Sequence, residues 1–245
     1  MTEAGDIVVA GDTRGALDGQ RNAGYNDVLL MKFTGAGDWL WSRQRGSSSA
    51  DIVSDMQLVG NDFVLTGYTG GDLDSYVNAG GADVFLMKLD SEGSWLWTHQ
   101  RGSAFEDHGT ALMISTGTIY VVGDTRGSLD GNINKGFADI FLMEFDSEGN
   151  WQRTQQRGTV ADDVATSALL FGSGFAVAGF TQGAMDGNTN AGDEDVFVME
   201  FDQNASWLRT LQWGTAGRDF ASAIARVDSS DLLVAGRTSG SLAGF

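Results

Sequence analysis

Cysteine and proline are both absent from this 245-residue sequence. Without cysteine there can be no disulfide, no thiolate metal ligand and no cysteine nucleophile, although this absence does not fix the compartment. Glycine, by contrast, occurs 35 times. Many glycines without proline suit a chain that makes many tight turns between strands.

Positive charge is also scarce. Fifteen Lys and Arg residues face 33 Asp and Glu residues, for a formal net charge of -18. Such a surface repels the phosphates of nucleic acids and anionic membranes and attracts cations, so we expect neither nucleic acid nor membrane as a partner. The sequence has no run of 18 apolar residues, so we expect no membrane-spanning helix. The first residues, MTEAGDIVVAGDT, do not resemble a signal peptide.

What the sequence does contain is a long internal repeat. The stretch MDGNTNAGDEDVF, from Met185 to Phe197, has three similar counterparts upstream. Each version runs from an opening aspartate to a closing one, and we call these segments the acidic loops. Both aspartate series have a step of 56 residues: Asp18, Asp74, Asp130 and Asp186, then Asp27, Asp83, Asp139 and Asp195. Series that begin at Trp39, Gln44 and Asp51 keep the same step, which indicates a repeat architecture.

One repeat, residues 51 to 102, contains four short runs rich in β-branched and aromatic residues. They are DIVSDMQLVG, DFVLTGYT, DVFLMKLD and SWLWTHQRG, separated by turn signals, and we number them first to fourth strand. No run has the sustained 3.6-residue period of a helix. Four strands per repeat predict an all-β chain and, more specifically, a β-propeller with four-stranded blades. A solenoid is the alternative, although its repeats are usually shorter. The two-residue spacing of Trp95 and Trp97 predicts that they share one face of the fourth strand.

Particular residues of this repeat resemble a known family. They are Gly67 and Thr69, Asp83 to Lys88, Gly93 and Trp97, then Gly102 and Asp107. This pattern resembles the SBBP-type β-propeller repeat over nearly the whole chain. The resemblance implies a propeller, often within large surface or secreted proteins, and no defined activity. It therefore suggests an extracellular or cell-surface location. Arg153 and Arg209 depart from the pattern, because they stand where the second repeat has Trp97.

Counting strands by type predicts four complete blades and one extra second strand. We expect residues 1-245 to form a single repeat domain that is a slice of a longer array. A slice would leave a strand edge open, and an open edge favours a protein partner or a larger assembly. The alternative is a closed four-bladed ring in which one strand copy is redundant.

The acidic loops are candidate calcium sites, because carboxylate and amide oxygens are the ligands that calcium takes. The best candidates lie in the third and fourth loops: Asp130, Asn132, Asn134 and Asp139, and Asp186, Asn188, Asn190 and Asp195. The first two loops offer Asp18, Asn22 and Asp27, and Asp74, Asn78 and Asp83. The other interpretation is that Asp and Asn side chains close turns and glycine supplies a positive φ.

These features predict a non-catalytic structural or binding module that calcium could stabilise. The Trp39 series could stack on a glycan, but packing between blades is the expected role of one Trp per blade. The alternative function is a polysaccharide hydrolase or lyase that uses carboxylates of the Asp51 series. Catalysis needs one site with differently tuned groups, whereas these features recur almost unchanged, so we expect no enzyme.

Overall fold

The computed structural model describes residues 5–228 and 231–241. This part of the chain contains 17 strands and one short 3-10 turn, Met185–Gly187. The second strand type occurs five times and the other three types four times each, as predicted. The prediction of an all-β chain is therefore confirmed for the described residues.

The strands follow one another in the same order in every repeat. The first group is β1 (Ile7–Thr13), β2 (Asp27–Phe33) and β3 (Trp39–Arg45). The second is β4 (Asp51–Val59), β5 (Asp62–Thr69), β6 (Asp83–Leu89) and β7 (Trp95–Arg101). The third is β8 (Asp107–Ser115), β9 (Thr118–Thr125), β10 (Asp139–Phe145) and β11 (Trp151–Arg157). The fourth is β12 (Asp163–Phe171), β13 (Gly174–Thr181), β14 (Asp195–Phe201) and β15 (Trp207–Trp213), and β16 (Asp219–Arg226) and β17 (Leu232–Thr238) complete the series.

The chain divides into two compact units. The first comprises the described residues up to Ile119 together with Phe145–Trp151. The second comprises Tyr120–Glu144 and the described residues from Gln152 onward.

The first unit contains two antiparallel sheets, β1-β2-β3 and β4-β5-β6-β7. The third strand of a repeat lies between two neighbours and is apolar on both faces, so β6 is buried along almost its whole length. Phe85 and Leu89 of β6 pack with Phe63, Leu65 and Val28 into one core. The register is fixed at the loop end, where Thr69 pairs with Asp83 and Gly67 with Phe85.

The second unit contains the sheet β12-β13-β14-β15, the pair β16-β17, and most of the neighbouring strands β9, β10 and β11. Its fourth-repeat sheet has the same register, since Thr181 pairs with Asp195 and Gly179 with Phe197. A core cluster that includes Ala178, Val198 and Ile224 joins this sheet to the β16-β17 pair.

A β-bulge changes one local prediction. Lys88 pairs with Trp97 and Leu89 with Trp95, so Leu96 is an extra residue in β7. A bulge interrupts the alternation of side chains, and this alternation was the basis for placing Trp95 and Trp97 on one face. Trp95 contacts Arg45 of the preceding repeat, whereas the Trp97 ring lies beside His99.

Candidate functional site

Each acidic loop begins with an unusual backbone conformation. The opening aspartates have positive φ values, 49° at Asp18, 54° at Asp74, 53° at Asp130 and 50° at Asp186. Asp tolerates this left-handed region better than most residues. In three of the loops a glycine with positive φ follows, as at Gly187. The amide of Asn188 donates to the carbonyl of Met185 at 2.8 Å, which closes a four-residue turn.

The opening carboxylates already have partners. Asp74 accepts a hydrogen bond of 2.8 Å from Nε of Arg45, and Asp186 forms an ion pair of 2.6 Å with Arg157. Hydroxyl groups of the same repeat also donate to these aspartates: Ser42 to Asp18, Thr154 to Asp130 and Thr210 to Asp186. The opening aspartates therefore hold the loop against an arginine or a hydroxyl group.

Three arginines at the ends of fourth strands stack on tryptophans of the following repeat. The guanidinium carbon lies 5.2 Å from the ring centre in the Arg45–Trp95 pair, 3.8 Å in Arg101–Trp151 and 3.9 Å in Arg157–Trp207. These distances are within the range of cation–π attraction. Each Arg thus bridges one repeat to the next, and we call this arrangement the arginine staple. Trp39, the first of the series, is 53 % exposed.

The loop asparagines act as donors to backbone carbonyls. The Asn190 amide donates to Gly192 at 2.8 Å, and the Asn188 amide donates to Thr210 at 3.0 Å. The remaining asparagines do the same, with Asn22 donating to Thr13, Asn78 to Thr69, Asn132 to Thr154 and Asn134 to Thr125. The asparagines therefore fix the path of the loop.

The closing aspartates are the best buried acidic groups of the loops. Asp27, Asp139 and Asp195 are 0 % exposed and Asp83 is 1 % exposed. One oxygen of each, Oδ2, accepts from a backbone N–H four residues earlier, as in the 2.8 Å bond from Ala191 to Asp195. The same oxygen accepts from a side-chain amide of the glutamine series: Gln44, Gln100, Gln156 and Gln212, at 3.0 or 3.1 Å. This bond is the structural reason for the glutamine period.

A second buried aspartate faces each closing one. The Asp51 series is also buried, with Asp51, Asp107 and Asp163 at 0 % and Asp219 at 5 % exposed. A Cβ placed on Gly46 would lie under 3.0 Å from oxygens of both Asp27 and Asp51. Gly102, Gly158 and Gly214 occupy the same place between two carboxylates, with both oxygens within 3.1 Å of the Cβ position. We call these the carboxylate pairs: Asp27–Asp51, Asp83–Asp107, Asp139–Asp163 and Asp195–Asp219.

Each pair leaves one closing oxygen unsatisfied. Oδ1 of Asp27, Asp83, Asp139 and Asp195 is buried and has no hydrogen-bond partner. The second aspartate of a pair does have hydrogen-bond donors. Asp51, for example, accepts a bond from the amide of Ser47 at 2.6 Å and one from the hydroxyl of Thr69 at 2.5 Å. The two aspartate series are visible in the sequence, but their meeting is not, because their members are 24 residues apart and on different strands.

Burial disfavours ionisation of four of these carboxyl groups. It raises the pKa of Asp51, Asp139 and Asp163 above the ordinary value of 3.8. The nearby charge of Asp27 adds to this rise at Asp51, because an adjacent like charge disfavours ionisation. At Asp219 burial also opposes ionisation, but hydrogen bonds from Thr238 and Thr215 outweigh it and lower the pKa.

Most carboxylate oxygens of the acidic loops already accept hydrogen bonds within the protein, which bears on the predicted calcium sites. Within residues 5–228 and 231–241, no three acidic or histidine side chains come together as a group that could hold a metal ion. Calcium takes six to eight oxygens, so backbone carbonyls and water would have to complete any site in the acidic loops. The unsatisfied oxygens of the closing aspartates are the protein ligands such an ion would find. Calcium binding remains a prediction.

No helix in the described part of the chain is long and apolar enough to span a membrane.

The chain is similar in sequence to part of a known protein. No family model matches the chain. In an alignment of 185 residues that covers 69% of the chain, it is 30% identical to the regulatory protein FlaEY of Caulobacter vibrioides. That alignment covers only 19% of FlaEY, so the chain spans about a fifth of that relative.

A solved structure supports the architecture. The crystal structure of a protein of unknown function from Bacteroides caccae matches 92% of this chain and 64% of its own, with a TM-score of 0.50 and 12% sequence identity. At this identity the likeness concerns the fold alone. Neither relative is named as an SBBP repeat protein, and that resemblance remains a prediction.

Proposed function

We propose that this chain is a β-propeller-type repeat module with a non-catalytic role, structural or binding, in a larger assembly. The observation that carries the proposal is the recurrence of one buried network in four repeats. In each repeat a glutamine accepts a hydrogen bond from the backbone beside the opening aspartate and donates one to the closing aspartate. A glycine lets the second aspartate approach the closing one. Four equivalent networks suit a scaffold or a module that binds through several repeats.

The propeller arrangement is supported by contacts between first strands of successive repeats. In the first unit, Asp55 of β4 accepts a hydrogen bond of 2.8 Å from the amide of Leu112 in β8. In the second unit, Ser167 of β12 accepts one of 3.3 Å from Ile224 in β16. The two bonds link equivalent positions, next to a bulge in each first strand. Blades that radiate from a centre bring their first strands together in this way.

The burial of the carboxylates favours a non-catalytic role. Asp51 and Asp163 are 0 % exposed and accept hydrogen bonds through both oxygens. A catalytic acid or base must come within hydrogen-bond reach of its substrate. The similarity of part of this chain to FlaEY, a protein named as regulatory, accords with a module that binds.

A polysaccharide panel tests this proposal. The purified chain is incubated with neutral and acidic polysaccharides, and new reducing ends and unsaturated uronates are measured. We expect no product above the buffer control. Cleavage that disappears in Asp163→Asn but persists in Asp130→Asn would overturn the proposal and establish the carboxylate enzyme. Glycan binding is measured separately, by retardation of the chain in gels that contain each polysaccharide, and the 53 % exposed indole of Trp39 offers one stacking surface.

A further inference from the structure

Three of the four opening aspartates accept a hydrogen bond from a hydroxyl group on the fourth strand of their own repeat. In the fourth repeat the hydroxyl of Thr210 donates to Asp186 and accepts a bond of 3.0 Å from the indole N–H of Trp207. The first repeat has the same relay, formed by Trp39, Ser42 and Asp18. Tryptophan, hydroxyl and carboxylate therefore satisfy one another in these two repeats.

The second repeat has the same residue types, Trp95, Thr98 and Asp74, but not the relay. Nε and Nη2 of Arg45 both donate to Oδ1 of Asp74. Within residues 5–228 and 231–241, no hydrogen bond joins Oδ2 of Asp74, the Thr98 hydroxyl or the Trp95 indole N–H to the protein. A carboxylate oxygen, a hydroxyl and an N–H are thus left without protein partners beside one acidic loop.

These residues line one cleft. Its volume is about 310 Å³, and its lining includes Asp74, Trp95 and Thr98 together with the rings of Tyr76 and Trp97. This volume lies at the lower end of the range of about 300–1,000 Å³ for small-molecule sites. Such sites combine aromatic surface with a few polar groups that fix the orientation of the ligand, and the cleft has both.

Tyr76 distinguishes this loop from the later ones. In the third and fourth loops the same position is an asparagine, whose amide donates to the carbonyl of Thr154 or Thr210 and ties the loop to the fourth strand. The hydroxyl of Tyr76 instead shares a hydrogen bond of 2.9 Å with Nδ1 of His99. This bond fixes the tyrosine ring as one wall of the cleft between the loop and the strand.

We propose that this cleft binds a neutral saccharide. In two other repeats a hydroxyl group accepts from a tryptophan and donates to an aspartate, and a sugar hydroxyl has the same donor and acceptor capacity. In the second repeat a sugar hydroxyl accepts from Trp95 and donates to Oδ2 of Asp74, and a neighbouring sugar hydroxyl bonds to Thr98. The rings of Tyr76 and Trp97 offer apolar surface to the C–H groups of the sugar ring.

The charge of the cleft selects against anionic sugars. The free oxygen of Asp74 and the net charge of -18 repel an acidic group. Arg45 does not compensate for them, because its guanidinium group is held by the ion pair with Asp74 and by the stack on Trp95. The inference rests on the proposed binding role and names the chemical class of one ligand.

The test follows the indole N–H signals of the isotope-labelled chain by NMR during titration with neutral sugars. The probes are glucose, mannose and xylose and short oligosaccharides of each, with glucuronate as the anionic comparison. We expect a saturable shift of the Trp95 signal, assigned with Trp95→Phe, and none with glucuronate. Binding of oligosaccharides alone identifies a glycan chain as the source, and binding of monosaccharides a free sugar. No saturable shift with any neutral sugar, a shift confined to Trp39 or Trp207, or an equal response to glucuronate would overturn the proposal.

Two threonine variants form a matched pair that locates the site. Thr98→Val removes the free hydroxyl with little change in shape and should weaken binding at least about threefold. Thr210→Val removes the equivalent hydroxyl from the relay of the fourth repeat and should leave the affinity unchanged. Equal affinities of the two variants would contradict the assignment. Asp74→Asn should weaken binding at least about tenfold, since hydrogen bonds to a charged acceptor are the stronger kind.

A change at Tyr76 tests the origin of the cleft. Tyr76→Asn gives the second loop the residue of the third and fourth loops, so it should close the cleft and abolish the shift of Trp95. Sugar binding that survives this change would place the ligand elsewhere and overturn the proposal. Failure of sugar binding leaves the cleavage panel unaffected, and cleavage would leave the Trp95 shift unaffected, so the two proposals fail separately.

Discussion

At the scale of the residue, the carboxylate pairs are the most constrained feature of the molecule. Two buried carboxyl groups meet across a glycine, and one oxygen has no donor. A proton retained by the pair would satisfy that oxygen, since a protonated carboxyl group is itself a donor. The raised pKa values of Asp51, Asp139 and Asp163 have the direction expected for such a proton.

This chemistry predicts how stability depends on pH. Since the folded pKa of Asp139 and Asp163 lies above the ordinary value of 3.8, the folded state retains protons that the unfolded chain releases. Their stabilisation is therefore fully present below pH 3.8 and is lost as the pH rises through the folded pKa. Asp139→Asn places an amide donor where Oδ1 faces Asp163 and so replaces the retained proton. Compared with the parent chain at the same pH, the free energy of unfolding of this variant should be about 1 kcal/mol more favourable at pH 8 than at pH 4. Denaturant titration at both pH values measures this.

Asp130→Asn is the control for that comparison, because Asp130 lies at the opening of the same loop. Each variant is compared with the parent chain at the same pH, which removes the opposite slope from Asp90 and Asp146, whose pKa values are lowered by hydrogen bonds. An equal effect of Asp139→Asn at both pH values would show that the pair takes up no proton between pH 8 and pH 4.

The glycine between two carboxylates gives a second prediction at this scale. Gly158→Ala should lower the free energy of unfolding by about 2 kcal/mol, because its Cβ would overlap oxygens of Asp139 and Asp163. Gly11→Ala is the matched control, since nothing lies within 4 Å of its Cβ position. Thermal unfolding of the two variants measures the difference, and similar melting temperatures would contradict the close approach.

At the scale of the element, the arginine staple connects consecutive strands of the fourth type. Arg157→Ala removes both the stack on Trp207 and the ion pair with Asp186, and we expect a loss of about 1 kcal/mol. Arg209→Ala, which breaks an exposed pair with Glu200, should cost less than about 0.5 kcal/mol. A double-mutant cycle of Arg157 and Trp207 separates the stack from the ion pair, and a coupling energy of zero would contradict the staple.

The elements themselves were largely predictable from the sequence. The 56-residue period fixed where strands begin, because apolar runs and turn glycines recur at the same step. The bulge at Leu96 was not predictable, since an extra residue in one strand depends on how β6 and β7 pair. The meeting of Asp27 with Asp51 was hidden for the same reason, because it depends on how a loop folds over the next strand. Arg45, Arg101 and Arg157 have the same period as Trp39, and this was the available signal for the staple.

At the scale of the whole molecule, a net charge of -18 makes cations the natural ligands. We predict that calcium raises the melting temperature and that a chelator lowers it. A ligand that binds only the folded state adds about 2.7 kcal/mol at a hundred times its dissociation constant. Magnesium should do less, because it requires a tighter octahedral site.

The carboxylate pairs allow calcium binding to be distinguished from general screening of the negative charge by salt. Calcium must displace the proton that a pair retains, so its effect on melting should be larger at pH 8 than at pH 5. Asp139→Asn removes charge from a closing carboxyl group whose Oδ1 has no donor and should reduce the effect, whereas Asp130→Asn alters a group that already accepts a hydrogen bond from Thr154 and should leave it nearly unchanged. Sodium chloride at equal ionic strength measures screening alone. If it stabilises the chain as much as calcium does, the aspartates and asparagines of the acidic loops serve the geometry of the turns.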